Sequence, residues 1–223
     1  MTARRRLSPD ERRKELLDVG AHLFAAKPYH DVLMEDVAEQ AGVSRALLYR
    51  YFPNKSALFA GIFQQASYRL LDGTRIDPAQ SLLDQLSAGL DVHFDYFAAN
   101  KNTVLAANRV LAGDPVIQAI INDELAELSR RVLDATGLEG PARNTVSALL
   151  TSWLVFVRAL CVDWLTDEAF SRTELHDMSV GALLGALGAV TDVDRLLGAR
   201  GPSGQPSAGA PPGRSNWVRY NSS

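Results

Sequence analysis

Apolar residues recur every three to four positions along most of the chain, and no stretch alternates apolar with polar as a strand would. The first stripe is Leu16, Gly20, Leu23 and Phe24. It predicts a helix capped by Ser8, with Pro9 at its first position and Asp10 and Glu11 in its first turn. Val37, Ala38 and Ala41 share one face of a second, short helix. Gly42 follows, where the chain must reverse and a positive φ carries no steric cost. Ser44 is a natural N-cap for a third helix over residues 45–51, and Val43, Leu48 and Phe52 meet the second helix across the turn. Pro53 ends that helix near Phe52, and Asn54 caps the next, over about 55–71.

Beyond the break at Asp72, Gly73 and Thr74, helical stripes continue. Leu83, Leu86, Leu90, Phe94 and Phe97 form one, and 101–112 a shorter helix. Val116, Ile117, Ile120, Ile121, Leu125, Leu128 and Val132 form the next. Val146, Leu150, Trp153, Val157, Leu160 and Trp164 mark a long helix, and 173–197 the last. The fold class is all-α. After Gly198 the chain turns to Gly, Pro, Ser and Ala without apolar period, the composition of a disordered tail.

The third helix is unusual in what it leaves outside. With Leu48 and Phe52 turned inward, Arg45, Ala46, Leu47, Tyr49 and Arg50 face out. A DNA groove explains that mixture. Arginine bonds a guanine edge or a phosphate, and Ala or Leu touches a thymine methyl. The N-terminal residues of a reading helix reach bases, so Arg45, Ala46 and Tyr49 are the base-contact candidates, and Arg50 and Tyr51 the phosphate contacts. Lys55, in the first turn of the following helix, adds an ammonium to free amides and a helix dipole, the makings of a phosphate clamp.

The run AGVSRALLYRYFPNKSALF resembles the DNA-binding signature of the TetR/AcrR family of transcriptional regulators. The likeness covers roughly residues 11–63. It implies a recognition helix over 44–51 that includes Ser44, with Tyr49 on DNA and Lys55 on a phosphate. Two positions depart from the family pattern: Leu33 stands where a Thr usually precedes the first helix of the motif, and Lys27-Pro28 replaces the usual Gly.

Net charge is −3, which looks wrong for a DNA binder until it is divided. Residues 1–60 carry ten Lys and Arg against eight Asp and Glu, whereas the other 163 carry thirteen against eighteen. An acidic body limits non-specific attachment to DNA, which follows the number of phosphates neutralised. The single cysteine, Cys161, forms no disulfide framework and reads as a small core residue in a reducing, cytoplasmic compartment. No signal peptide is visible, and the uncharged run 144–157 is too short to predict a membrane span.

These readings divide the chain into a flexible basic arm (1–8), a helix-turn-helix DNA-binding domain (9–60), a helical ligand-binding and dimerisation domain (61–197) and the tail (198–223). The resemblance implies a homodimer on a palindromic operator, joined through the last two helices, about 143–165 and 173–197. Gly181, Gly185 and Gly188 support that interface, since each weakens a helix by ~1 kcal/mol against Ala unless packing requires it. It also implies a small molecule in the body. Phe94, Phe97, Trp153 and Phe156 are candidates for an apolar pocket, with His93, Asn108, Arg109 and Arg158 as polar anchors.

An enzyme is the first rival. The four histidines have no metal spacing, and there is no Gly-rich phosphate loop or nucleophile elbow, so no cofactor or metal is expected. The second rival is an architectural DNA binder without a ligand. A body of about 130 residues exceeds what DNA coating needs and favours a sensing role, and the resemblance implies a repressor released by its ligand.

Overall fold

The computed structural model of the protein describes residues 7–73, 76–77 and 80–198. Every regular element among them is helical. The basic arm through residue 6 and the tail from residue 199 lie outside the described residues.

α1 (Pro9–Ala26) begins with a reciprocal cap: Ser8 Oγ accepts from the Glu11 amide at 3.2 Å, and the Glu11 carboxylate accepts from the Ser8 amide at 2.8 Å. Two of the helix's otherwise unpaired N-terminal amides are thereby satisfied. α2 (Met34–Gln40) and α3 (Arg45–Tyr51) flank a turn in which Gly42 has φ 60°. α4 (Lys55–Gly73) crosses α1 at two glycines. A Cβ on Gly20 would lie 2.8 Å from Ile62 Cδ1, and one on Gly61 would lie 2.9 Å from Leu17 Cδ2. The helices touch because neither position has a side chain.

Leu16, Leu17, Phe24, Val37, Leu48, Leu58 and Phe59 fill the space between these four helices and are fully buried, each worth ~1.5–3 kcal/mol relative to exposure. The same core continues into Ala106, Ile117, Ile121 and Leu125 of the body. The expected division at residue 60 therefore falls within α4 and across one continuous core.

The body adds α5 (Leu82–Ala99), α6 (Lys101–Leu105), α7 (Pro115–Ala135), α8 (Gly140–Asp167), α9 (Arg172–Gly188) and α10 (Val193–Leu197). A second core gathers Phe94, Leu150, Val157, Cys161, Leu175 and Leu183. Ser81, Asp114 and Ser171 cap α5, α7 and α9 by accepting first-turn amides at 3.1, 2.9 and 3.2 Å.

Four expectations need correction. The 101–112 helix is not uniform: α6 passes at Leu105 into a π turn, Ala106–Val110, where the Leu111 amide reaches back five residues to the Ala106 carbonyl at 2.8 Å. The wider turn puts Ala106 and Ala107 in the first core and leaves Asn108 facing α8. The last helix is broken after Gly188, where Val190 and Thr191 are poor helix formers. Asp192 then caps α10 by accepting from the Arg195 amide at 3.2 Å. Val116, assigned to an inner stripe, is 56% exposed, because the buried face of α7 starts one residue later at Ile117. Finally, α8 has 28 residues and is long and apolar enough to cross a bilayer by length and composition alone. The helix runs on past the uncharged 144–157 stretch through Arg158, which is buried within the fold, and Asp163.

Candidate nucleic-acid interface and inner cavity

α3 is anchored by Leu48 and capped by Ser44, whose Oγ accepts from the Leu47 amide at 3.2 Å. Arg45, Ala46, Tyr49 and Arg50 are exposed, while Leu47 and Tyr51 are half-buried. Tyr49 keeps 42% of its surface in solvent although it is aromatic. Arg45 Nη1 lies 3.2 Å from Glu35 Oε1 of α2. Both groups are open to water, where such a pair contributes ~0–1 kcal/mol and is readily exchanged for another acceptor. The Arg50 guanidinium sits 5.7 Å from the Tyr51 ring centre.

The segment after α3 follows the capping logic, since Asn54 Oδ1 accepts from the Ala57 amide at 2.8 Å. The Lys55 ammonium, assigned to a phosphate, has other partners here. Its Nζ donates to the carbonyls of Tyr29 at 2.9 Å, Val32 at 3.0 Å and His30 at 3.4 Å, and lies 4.5 Å from the Tyr29 ring centre. Three donors meet three acceptors. Lys55 thus ties the 3-10 turn Tyr29–Asp31 to the start of α4. Leu33, at the N-cap of α2, is 54% exposed and makes no side-chain cap, so the first amides of α2 face outward without one.

Within the body, a cavity of about 280 Å³ lies between α4, α5, α7 and α8. Leu70, Leu86, Leu90, Leu125, Val132 and Trp153 give it apolar walls. The Trp153 indole N–H leaves the cavity to donate to the Ser179 carbonyl at 2.8 Å. Its polar lining is Asp77, Gln80, Gln85, His93, Arg131 and Arg158, of which Arg158 is the one buried charge. Arg158 Nε donates to Asn108 Oδ1 at 2.8 Å, and Nη1 stands 3.6 Å from Glu124 Oε1. The guanidinium centre is 5.7 Å from the Phe97 ring centre and 6.0 Å from that of Phe63. Burial lowers the Arg158 pKa, against the pull of Glu124. Burial, helped by the Arg158 charge, pushes the His93 pKa down to about 3 and keeps the ring neutral.

Of the expected ligand contacts, His93 and Trp153 line the cavity, as does Arg158. Phe94 and Phe97 stand in the core behind it. Asn108 braces Arg158, Arg109 points outward to Asp163 at 3.5 Å, and Phe156 lies on the outer surface. Sequence reasoning missed Leu70, Leu86 and Glu124. For Glu124 a signal existed: a carboxylate on the buried face of α7, between Ile121 and Leu125. Cys161 is fully buried, and burial pushes its thiol up to about 12.

The outer face of α8 and α9 is apolar and open. Val155, Phe156 and Met178 are exposed there. Around Gly181 and Gly185 a Cβ would meet nothing within 4 Å, so packing inside one chain does not account for either glycine. Among the described residues, no group of three or more His, Cys, Asp and Glu is placed to hold a metal.

The profile of the bacterial regulatory proteins of the tetR family matches residues 16–62, from within α1 into α4. MftR of Mycobacterium tuberculosis, named as a regulator of mycofactocin biosynthesis, is 30% identical over 185 residues, covering 80% of this chain and 89% of MftR. The transcriptional activator FasR of Mycolicibacterium smegmatis is 32% identical over 93 residues, which is 41% of this chain and only 42% of FasR. A solved TetR-family regulator from Streptomyces coelicolor shares the fold, with a TM-score of 0.72 at 24% identity over 82% of this chain and 83% of that one. Similarity that runs along most of MftR, well past the reading head, places this chain in the TetR family of DNA-binding transcriptional regulators.

Proposed function

We propose that the protein is a homodimeric, cytoplasmic repressor that reads a palindromic operator with α3 and leaves it when a small molecule fills the cavity of the body. The observation that carries this reading is the outward face of α3, where Tyr49, Ala46 and two arginines stand exposed on a helix capped by Ser44. Ser44, Arg45, Ala46, Leu47, Tyr49, Arg50 and Tyr51 form the proposed DNA surface. Residues 9–60 act as the reading head and 61–197 as the sensing and pairing body, and neither catalyses a reaction.

The cavity supports the sensing role because α4 belongs to both ends. Leu70 and Gly73 of α4 line the cavity, and Phe63 packs under Arg158. The first turn of the same helix holds Lys55 and directly follows α3. The open face of α8 and α9, with Phe156 and the unexplained Gly181 and Gly185, supports pairing with a second copy. In that assembly the apolar length of α8 is buried on both sides, which accounts for it without a membrane.

Selection of bound duplexes from a random pool, with the purified protein and with Tyr49→Ala, tests the reading. The expected result is a palindrome with half-sites about one helical turn apart, lost in a variant that still dimerises. Retention of the pool without enrichment would indicate an architectural DNA binder instead. No retention would refute DNA reading by α3. A promoter assay then separates repression from the activation named for FasR.

A further inference from the structure

We propose that the cavity takes an uncharged apolar molecule carrying a carbonyl oxygen, with that oxygen accepting a hydrogen bond from Arg158 Nη1. The inference rests on the cavity being the sensing site, and it specifies what chemistry the site accepts.

Arg158 is only 7% exposed and lines the cavity. Its Nη1 is buried and has no hydrogen-bond partner among the described residues. Buried donors of this kind are rare in folded proteins, and each calls for an acceptor. Other parts of the group have neighbours in the fold. Nε is taken by Asn108 at 2.8 Å, and the rings of Phe97 and Phe63 flank the group. Glu124 stands 3.6 Å from Nη1, beyond hydrogen-bond reach but close enough to neutralise the charge.

The buried Arg158–Glu124 pair is therefore electrically balanced, and its Nη1 is short of an acceptor. A neutral oxygen completes it. A carboxylate would add a second negative charge beside Glu124 in an apolar interior, where an uncompensated charge is costly. The walls supplied by Leu86, Leu90, Val132 and Trp153 ask for a hydrocarbon body. A cavity of about 280 Å³ is near the small end of ligand sites. At ~30 Å³ per small group it holds roughly nine non-hydrogen atoms.

The test is calorimetric titration of the full-length protein with 2-octanone, octane and octanoate, three probes of matched length. The expected result is 2-octanone binding at least about tenfold more tightly than octane, the effect of one hydrogen bond to a charged donor, and more tightly than octanoate. In the double variant Arg158→Met with Glu124→Gln, which strands neither charge, 2-octanone should lose its advantage while octane still binds. Equal binding of 2-octanone and octane to the wild type would overturn the role of Nη1. Tightest binding by octanoate would overturn the neutral head group. A ketone preference that survives in the double variant would move the acceptor site away from Arg158. No binding by any probe would overturn the ligand class, and would do so without touching the operator selection above. The wild-type comparison decides the matter even if the double variant fails to fold.

Discussion

Lys55 and Tyr29 hold each other at the base of the reading head: the ammonium donates to the Tyr29 carbonyl at 2.9 Å and lies 4.5 Å from the centre of the same residue's ring. With Val32 and His30 accepting as well, Lys55 fixes the connection between α1 and α2 against α4. Lys55→Ala should therefore cost about 1.5–3 kcal/mol of stability, the range for hydrogen bonds to a charged group. Its DNA binding, measured against salt concentration, should keep the wild-type slope. A slope smaller by about one unit would instead return Lys55 to a phosphate.

Glu35 stands 3.2 Å from Arg45 on the surface proposed to face DNA. Glu35→Gln removes a like-for-phosphate charge and frees the guanidinium. Affinity for random-sequence duplex should rise and the salt slope should steepen by about one unit, as one more phosphate is neutralised. Fluorescence anisotropy at several salt concentrations gives both quantities. An unchanged slope would mean that Arg45 does not reach the backbone.

The reading head was legible in the sequence because its signals are local. Ser8, Gly42, Ser44 and Asn54 each act on amides or dihedrals within three residues of themselves. The body was less legible because its decisive relations are long-range. Arg158 meets Glu124 and Asn108 across 34 and 50 residues, and no spacing rule connects them. Trp153 and Phe156 show a further difficulty. Three residues apart on α8, both are large and aromatic, yet one lines the cavity and the other faces outward. A helix with two apolar stripes does not reveal which stripe belongs to its own core.

Phe156 is 42% exposed, so a charge there is tolerated by the single chain. Placed in a two-fold interface, Phe156→Glu brings two carboxylates to an apolar face. The dimer dissociation constant should rise roughly hundredfold or more, about 3 kcal/mol, with the helix content unchanged. Sedimentation equilibrium measures the first and circular dichroism the second. A dimer as tight as the wild type would move the interface away from this face.

His93 makes folding depend on pH. Its pKa falls from the ordinary 6.5 in the unfolded chain to about 3 in the fold, because burial disfavours the charged ring and Arg158 adds to the effect. Between those values the unfolded chain binds the extra proton, so stability rises with pH across the window and is fully present above about 6.5. Acidification from pH 6.5 toward 3 should remove stability at up to ~1.4 kcal/mol per pH unit from this group. His93→Gln, compared with wild type by urea denaturation across that range, should show a shallower dependence. Identical slopes would show that His93 does not contribute.

The crossing of α1 over α4 at Gly20 and Gly61 is close, since a methyl group at either position would press on the side-chain ends of Ile62 or Leu17. A push on α4 from the cavity end would, in the proposed mechanism, be passed to α1, α2 and α3 through the core they share. In the proposed dimer the geometry of each reading surface stays constant, and the adjustable quantity is the gap between the two copies of α3. DNA fixes that gap at about 34–36 Å. The paired protein then behaves as a calliper, whose opening is set by what occupies a chamber well behind the jaws.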